Sequence, residues 1–237
     1  MKFWLMATVF FLMSSYVRSQ SATRASNLVE ISAGAGNYRG SFSLSYLRQW
    51  SIGQKQKFAI GLGVRATHFV GANLYYITAP AKLTSGSTSP LIFFKENIAE
   101  NLDSVLIKTP QVNFVNLMIN LDYKISNKIV IGFNIDAIGF SFGGSQRANF
   151  MSGYSGKNTT ASPTPFNVLL ISDNDRGSLN SELYTRISLR NGWAIKGAAQ
   201  FLFTEYTTKT KVQQYPTEND RFRNKALLFS VGWSKAF

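Results

Sequence analysis

The chain has 237 residues, no cysteine, 14% aromatic and 16% charged side chains, and 25 Lys and Arg against 12 Asp and Glu. Without cysteine there are no disulfides, no thiolate metal sites and no lipid-modified N-terminal Cys. Charge is scarce beside the roughly 25% of soluble domains, yet mean hydropathy is near zero, which excludes a bundle of membrane helices.

Taken in chain order, residues 1–19 read as a secretory signal peptide. Lys2 supplies the positive start, "FWLMATVFFLM" the apolar run, and cleavage is expected after Ser19, with Ala25 as a second option. The run is shorter than the ~20 residues of a spanning helix. Residues 20–237 then form one exported domain. Removing Lys2 and Arg18 leaves a large cationic excess. For an exported chain, anionic lipid or lipopolysaccharide is the expected counterpart, and nucleic acid is not.

Eight segments alternate apolar and small or polar residues over about ten positions, the span of a tilted membrane strand. "NLVEISAGAG" sets Val29, Ile31 and Ala33 against Glu30, Ser32 and Gly34. "GSFSLSYLRQWSI" sets Phe42, Leu44 and Tyr46 against Ser41, Ser43 and Ser45. "KFAIGLGVRATHF" sets Ile60, Leu62 and Val64 against Gly61, Gly63 and Arg65. "VNLMINLDYKI" sets Leu117, Ile119 and Leu121 against Asn116, Asn120 and Asp122. "KIVIGFNIDAI" sets Ile131, Phe133, Ile135 and Ala137 against Gly132, Asn134 and Asp136. "SLNSELYTRISLR" sets Leu179, Leu183 and Ile187 against Asn180, Glu182, Tyr184 and Arg186. "WAIKGAAQFLFTEY" sets Trp193, Ile195 and Phe201 against Lys196 and Gln200. "KALLFSVGWSKAF" sets Leu227, Phe229, Val231, Trp233 and Phe237 against Ser230, Gly232 and Ser234.

The minor face decides between solvents. A water-soluble sandwich hides its apolar face and covers the other with Lys and Glu. Here the second face is Gly, Ser and Asn with isolated charges, which suits a narrow interior, while the apolar face suits lipid. Connections alternate short ("GQKQ", "SN", "NG") and long (about 72–110, 143–176 and 205–221), the pattern of periplasmic turns and extracellular loops. "PLIFF" and "SVLIK" in the first long connection leave room for one extra hairpin. Trp50, Tyr123, Trp193, Trp233 and Phe237 fall at the short-turn ends, as an interfacial girdle would, with Arg48 and Lys235 placed to snorkel.

The expected fold is therefore all-β: a single eight-stranded antiparallel up-and-down transmembrane β-barrel. In this pattern, over residues 27–237, the chain resembles the small outer-membrane barrel proteins, the OmpA/OmpX-like group, and most of all the barrel-only proteins common in Bacteroidetes. The resemblance implies localisation in the bacterial outer membrane. It also implies that Phe229, Val231, Trp233 and Phe237 act as the signal read by the barrel-assembly machinery. The peptidoglycan binding of longer OmpA-like proteins is not among the expectations that the resemblance implies.

Motifs that suggest catalysis lack their context. "GFSFG" (139–143) has the spacing of a nucleophile elbow, but no helix follows it. His68, the single histidine, has Val70 rather than a serine two residues on. "GAGNYRG" has no βαβ setting, and "SDNDRGS" lacks the terminal Glu of a calcium loop. No catalytic, cofactor or metal site is expected. Seven charges are expected to face inward: Glu30, Arg65, Asp122, Asp136, Glu182, Arg186 and Lys196. An eight-stranded barrel holds little more than its own side chains, so these should pair as a plug; a narrow ion path is the functional alternative. The expected role is structural or interactive, through long loops that meet an unidentified partner outside. A narrow channel, an accessory barrel of a secretion system and, least favoured, a membrane-embedded lipid hydrolase are the alternatives.

Overall fold

The computed structural model describes residues 25–86, 96–151, 158–170 and 174–237. The expected leader (1–19) and the "PLIFF" run lie outside them. Among the described residues thirteen strands follow one another: β1 (Ala25–Gly36), β2 (Arg39–Ile52), β3 (Phe58–Gly71), β4 (Leu74–Thr78), β5 (Ser104–Ile107), β6 (Gln111–Lys124), β7 (Ile129–Phe142), β8 (Gln146–Phe150), β9 (Asn158–Pro163), β10 (Phe166–Val168), β11 (Leu179–Ser188), β12 (Trp193–Thr208) and β13 (Arg221–Ala236). The fold is an all-β, antiparallel, up-and-down, barrel-like sheet.

The eight long strands coincide with the eight alternating segments, and each pairs on both sides. β1 meets β2, β2 meets β3, β3 meets β6, β6 meets β7, β7 meets β11, β11 meets β12 and β12 meets β13. β13 returns to β1, with Ile31 opposite Trp233 and Ala33 opposite Val231. Alternation decides what each side chain meets. On β2, Phe42, Leu44 and Tyr46 are 53, 50 and 45% exposed, while Ser43 and Ser45 between them are 2 and 8% exposed.

The strand count corrects the expectation of eight. Five short strands lie within the stretches read as long loops. They hold three to six residues each, too few to establish a period. β4 also has apolar residues on both faces, Leu74 and Tyr76 buried, Tyr75 and Ile77 exposed, so no alternation marks it. "SVLI" is β5, and among the described residues its partners are β4 and β8.

These strands build a second tier. β12 and β13 run past the end of β1 and β11. Their upper halves pair with β9 (Tyr206 opposite Pro163) and β4 (Phe222 opposite Thr78). β4, β5, β8 and β9 pair in sequence and complete the tier. Its interior is mainly apolar: Phe69, Tyr76, Ile107, Phe114, Leu202, Tyr206 and Phe222 are all buried in one cluster. Tyr206 reaches across from β12 to β6. It receives the Gln111 N–H at 2.9 Å and donates to the Gln111 carbonyl at 2.8 Å. Its ring stands edge-on to Tyr76, 5.1 Å away.

A second departure is a β-bulge on β7. Leu117 lies opposite Ile138 and Met118 opposite Asp136, so Ala137 has no counterpart. Beyond it the parity flips: Ile138, Phe140 and Phe142 face outward and Ser141 inward. Above the end of β11, β10 takes its place beside β7, with Asn167 opposite Gly139.

Close wall packing yields a test. A Cβ on Gly63 would fall inside van der Waals contact of the Tyr46 carbonyl oxygen, whereas one on Gly197 would meet nothing within 4 Å. Gly63→Ala is expected to cost about 1–3 kcal/mol through overpacking, and Gly197→Ala to be tolerated. Denaturant unfolding of the two variants in the same detergent measures the difference; equal midpoints would contradict the packing.

Candidate functional site

The most organised chemistry lies inside the long-strand ring. Alternation points seven charged side chains there, and small neighbours leave them space. Glu30 on β1 faces Ser45 and Ser234; Arg65 on β3 faces Ser45; Asp122 on β6 faces Ala59 and Gly132; Lys196 on β12 faces Gly232. Any side chain on Gly132 would collide with Asp122 and Tyr184.

Five of the seven form one chain of ion pairs. Glu30 pairs with Lys196, whose Nζ lies 2.7 Å from Glu182 Oε2. Glu182 also meets Arg65 Nη1 at 3.3 Å, and Arg65 Nη2 lies 2.6 Å from Asp136 Oδ1. Amides complete the shell. Asn134 donates to Glu182 at 2.8 Å and accepts from Arg65 at 2.7 Å. Asn116 donates to Asp136 at 2.8 Å, and the Asn180 N–H does so at 3.0 Å. The remaining two charges, Arg186 and Asp122, pair with each other nearer the short turns. Asp122 also accepts from Gln49 at 2.7 Å, Asn120 at 3.0 Å and the Tyr184 hydroxyl. The Tyr184 ring lies against Lys196 and Arg186.

This arrangement answers the cost of burial. A carboxylate enclosed without partners costs several kcal/mol, and each one here has a cation and at least one further donor or an immediate polar neighbour. At the short-turn end, a cavity of about 200 Å³ reaches Asp122 and Arg186. Beyond them stand Arg65 and Asp136, 2 and 0% exposed. Next comes a polar layer with Ser41–Gln200 at 2.7 Å and Ser43–Thr67 at 3.0 Å, and then the apolar cluster of the upper tier.

The terminal apolar residues take the opposite face. Phe229, Val231, Trp233 and Phe237 are exposed. Trp233 sits 6.0 Å from Trp193, and Phe237 exchanges both backbone hydrogen bonds with Asn27 at 3.0 Å. His68 lies on the outward side with Nδ1 2.7 Å from Asn113 Oδ1, whereas Ser141 points inward to Asn167 at 2.8 Å. Histidine and serine therefore stand on opposite faces of the wall, with β6 between their strands, and cannot share a proton.

One charged group escaped the sequence reading. Glu205, 0% exposed, pairs with Arg221 and Arg223 at 2.8 Å each. Both arginines also donate to the Asp175 carbonyl. Glu205 and Arg221 mark the two ends of an expected loop and Arg223 lies just beyond it, and only the extension of β12 and β13 into the upper tier brings them together.

Two outcomes follow. Glu182 holds Lys196 and Arg65 at once, so Glu182→Ala should destabilise the fold by about 3–5 kcal/mol. Glu218→Ala, which breaks the exposed Lys211–Glu218 pair, should leave stability unchanged. Denaturant titration in detergent compares them, and an equal effect would contradict the interior network. In the upper tier, burial pushes the Tyr76 phenol well above its ordinary value of 10.0, against a smaller lowering by its Thr204 hydrogen bond. A raised phenol pKa leaves stability intact below about pH 10 and removes it as pH rises further, because only the unfolded phenol ionises. Tyr76→Phe should flatten that alkaline loss, read as melting temperature against pH.

No protein-family model matches the chain, and no curated protein does. Among solved structures it is similar to a major outer membrane protein of Thermus thermophilus, at 11% identity and TM-score 0.39, covering 90% of this chain and 100% of that one. It is also similar to Ail, the attachment invasion locus protein of Yersinia pestis, at 6% identity and TM-score 0.34, covering 89 and 97%. Neisserial surface protein A gives 8% identity and TM-score 0.32, covering 88 and 94%. Likenesses this distant carry no weight for function.

Proposed function

We propose that the chain is an integral outer-membrane β-barrel protein, closed by its eight long strands, shut by its own interior side chains, and structural or interactive rather than catalytic. One observation carries this reading: polarity is inverted around the whole ring. Every long strand exposes a large apolar residue, namely Ile31, Leu44, Leu62, Leu117, Ile131, Leu183, Ile195 and Val231. The charges meanwhile sit inside. In water such a belt would drive association; in a bilayer it is the lipid contact. The long strands have 10 to 16 residues, enough for the ~9–11 that span a membrane. The short turns then face the periplasm and the upper tier faces outward. Lipid and lipopolysaccharide surround the wall, the barrel-assembly machinery inserts it, and the tier meets the external partner.

Reconstituted protein should show no steady current in planar-bilayer recording, because the ion chain and the apolar cluster lie in series; a steady open channel would overturn the shut interior. Leu117→Arg should cost about 2–4 kcal/mol. A nitroxide at Val231 should respond to a lipid-dissolved quencher and one at Ser230 should not. Equal responses would overturn the membrane reading.

A further inference from the structure

The outer surface of the upper tier gathers cations in one row across neighbouring strands. Lys108 follows β5 one residue beyond the Ile107–Ala148 pair, which sets it beside Arg147 on β8. Arg147 lies opposite Thr160 on β9. The Thr160 carbonyl accepts the backbone N–H of Lys209 at 2.8 Å, where the chain leaves β12. Adjacent strands are about 4.8 Å apart, so the row spans roughly 15 Å. Beside it, the hydroxyls of Thr159 and Thr210 lie 3.1 Å apart.

All of these residues line a single open cavity of about 760 Å³ whose lining, among the described residues, holds three cations and no carboxylate. Lys108, Arg147 and Lys209 are exposed. Among the described residues none of the three makes an ion pair. Lys211, two residues beyond Lys209, has Glu218 at 2.9 Å. Like charges in register on adjacent strands repel. The interior of the same molecule balances its cations with carboxylates, and this row does not.

We propose that the cavity binds a saccharide carrying several phosphate or sulfate groups. A lone phosphate is too small to bridge cations spread over roughly 15 Å. A multiply esterified sugar reaches them together, and its free hydroxyls meet Thr160, Thr159 and Thr210. Such a ligand has two sources: the phosphorylated headgroup of a glycolipid in the surrounding leaflet, or a soluble anionic glycan outside the cell. The inference rests on the outer-membrane reading only for the side of the membrane that the row faces.

The test uses the full folded protein in a neutral detergent, titrated with inositol hexakisphosphate and, as the uncharged control, inositol. The hexakisphosphate should bind, inositol should not, and affinity should fall steeply with added salt. Lys108→Gln, Arg147→Gln and Lys209→Gln should each weaken binding about tenfold, the loss of one charge-assisted contact. Lys55→Gln removes the same charge at the β2–β3 turn, at the far end of the molecule, and should leave binding unchanged. An equal loss with Lys55→Gln reduces the effect to net charge and overturns the site, as does absence of binding by the unmutated protein. In nanodiscs, protection of Lys108 and Lys209 from an amine-reactive label by phosphorylated, but not dephosphorylated, lipopolysaccharide assigns the headgroup. Protection only by added hexakisphosphate assigns the soluble glycan. Failure of binding alongside an intact spin-label pattern separates loss of this site from loss of the membrane reading.

Discussion

Glu182 is the point on which the interior turns. Hydrogen bonds between strands link each one only to those directly beside it in the sheet. Glu182 reaches further: it stands on β11 and holds Lys196 from β12 and Arg65 from β3, and through them Glu30 on β1 and Asp136 on β7. Ser230 on β13 adds a weaker bond at 3.3 Å. The chain of ion pairs thus ties strands that do not touch in the sheet. A buried network of this kind is a poor source of net stability compared with apolar packing. Its contribution is geometric, because an unsatisfied member is so costly that the cross-section and relative heights of the strands are held to those that satisfy all of them.

The two halves of the interior solve the same problem differently. Within the long-strand ring the wall faces out with apolar residues, so the polar groups gather inside and must find each other. Within the upper tier the core is mainly apolar, with Phe69, Tyr76, Phe114 and Phe222 buried beside the single ion cluster of Glu205, Arg221 and Arg223, while Lys108, Arg147 and Lys209 lie on the outer surface. The lining of the same continuous sheet reverses from polar to mainly apolar along its height. Tyr206 sits where the two regimes meet, its ring among the aromatics and its hydroxyl on the backbone of Gln111.

That reversal also explains what could be read from sequence. Long strands were legible because alternation persists for about ten residues, as from Phe42 to Trp50, and the small polar face gave away its narrow surroundings. The inward charges were legible from parity alone. Their connectivity was not, since which carboxylate meets which cation depends on strand tilt and on the bulge at Ala137, and alanine fits either face. β4 was illegible because Leu74, Tyr75, Tyr76 and Ile77 are all apolar, one pair for the core and one for the surface. The Glu205, Arg221 and Arg223 cluster was missed because the β12–β13 pairing runs on past the alternating stretches, with Glu205 opposite Arg223 and Thr207 opposite Arg221.

β12 and β13 belong to both tiers, and they are the last strands of the chain. β4 has no place beside β13, nor β9 beside β12, until the C-terminal hairpin is present. The short strands between them, β4, β5, β8 and β9, form an open ribbon whose two free edges are covered only by β13 and β12. The upper tier therefore has no closure of its own: it borrows two staves from the ring below, and whatever parts β4 from β13 or β9 from β12 opens its outer surface without breaking a single pairing between the long strands.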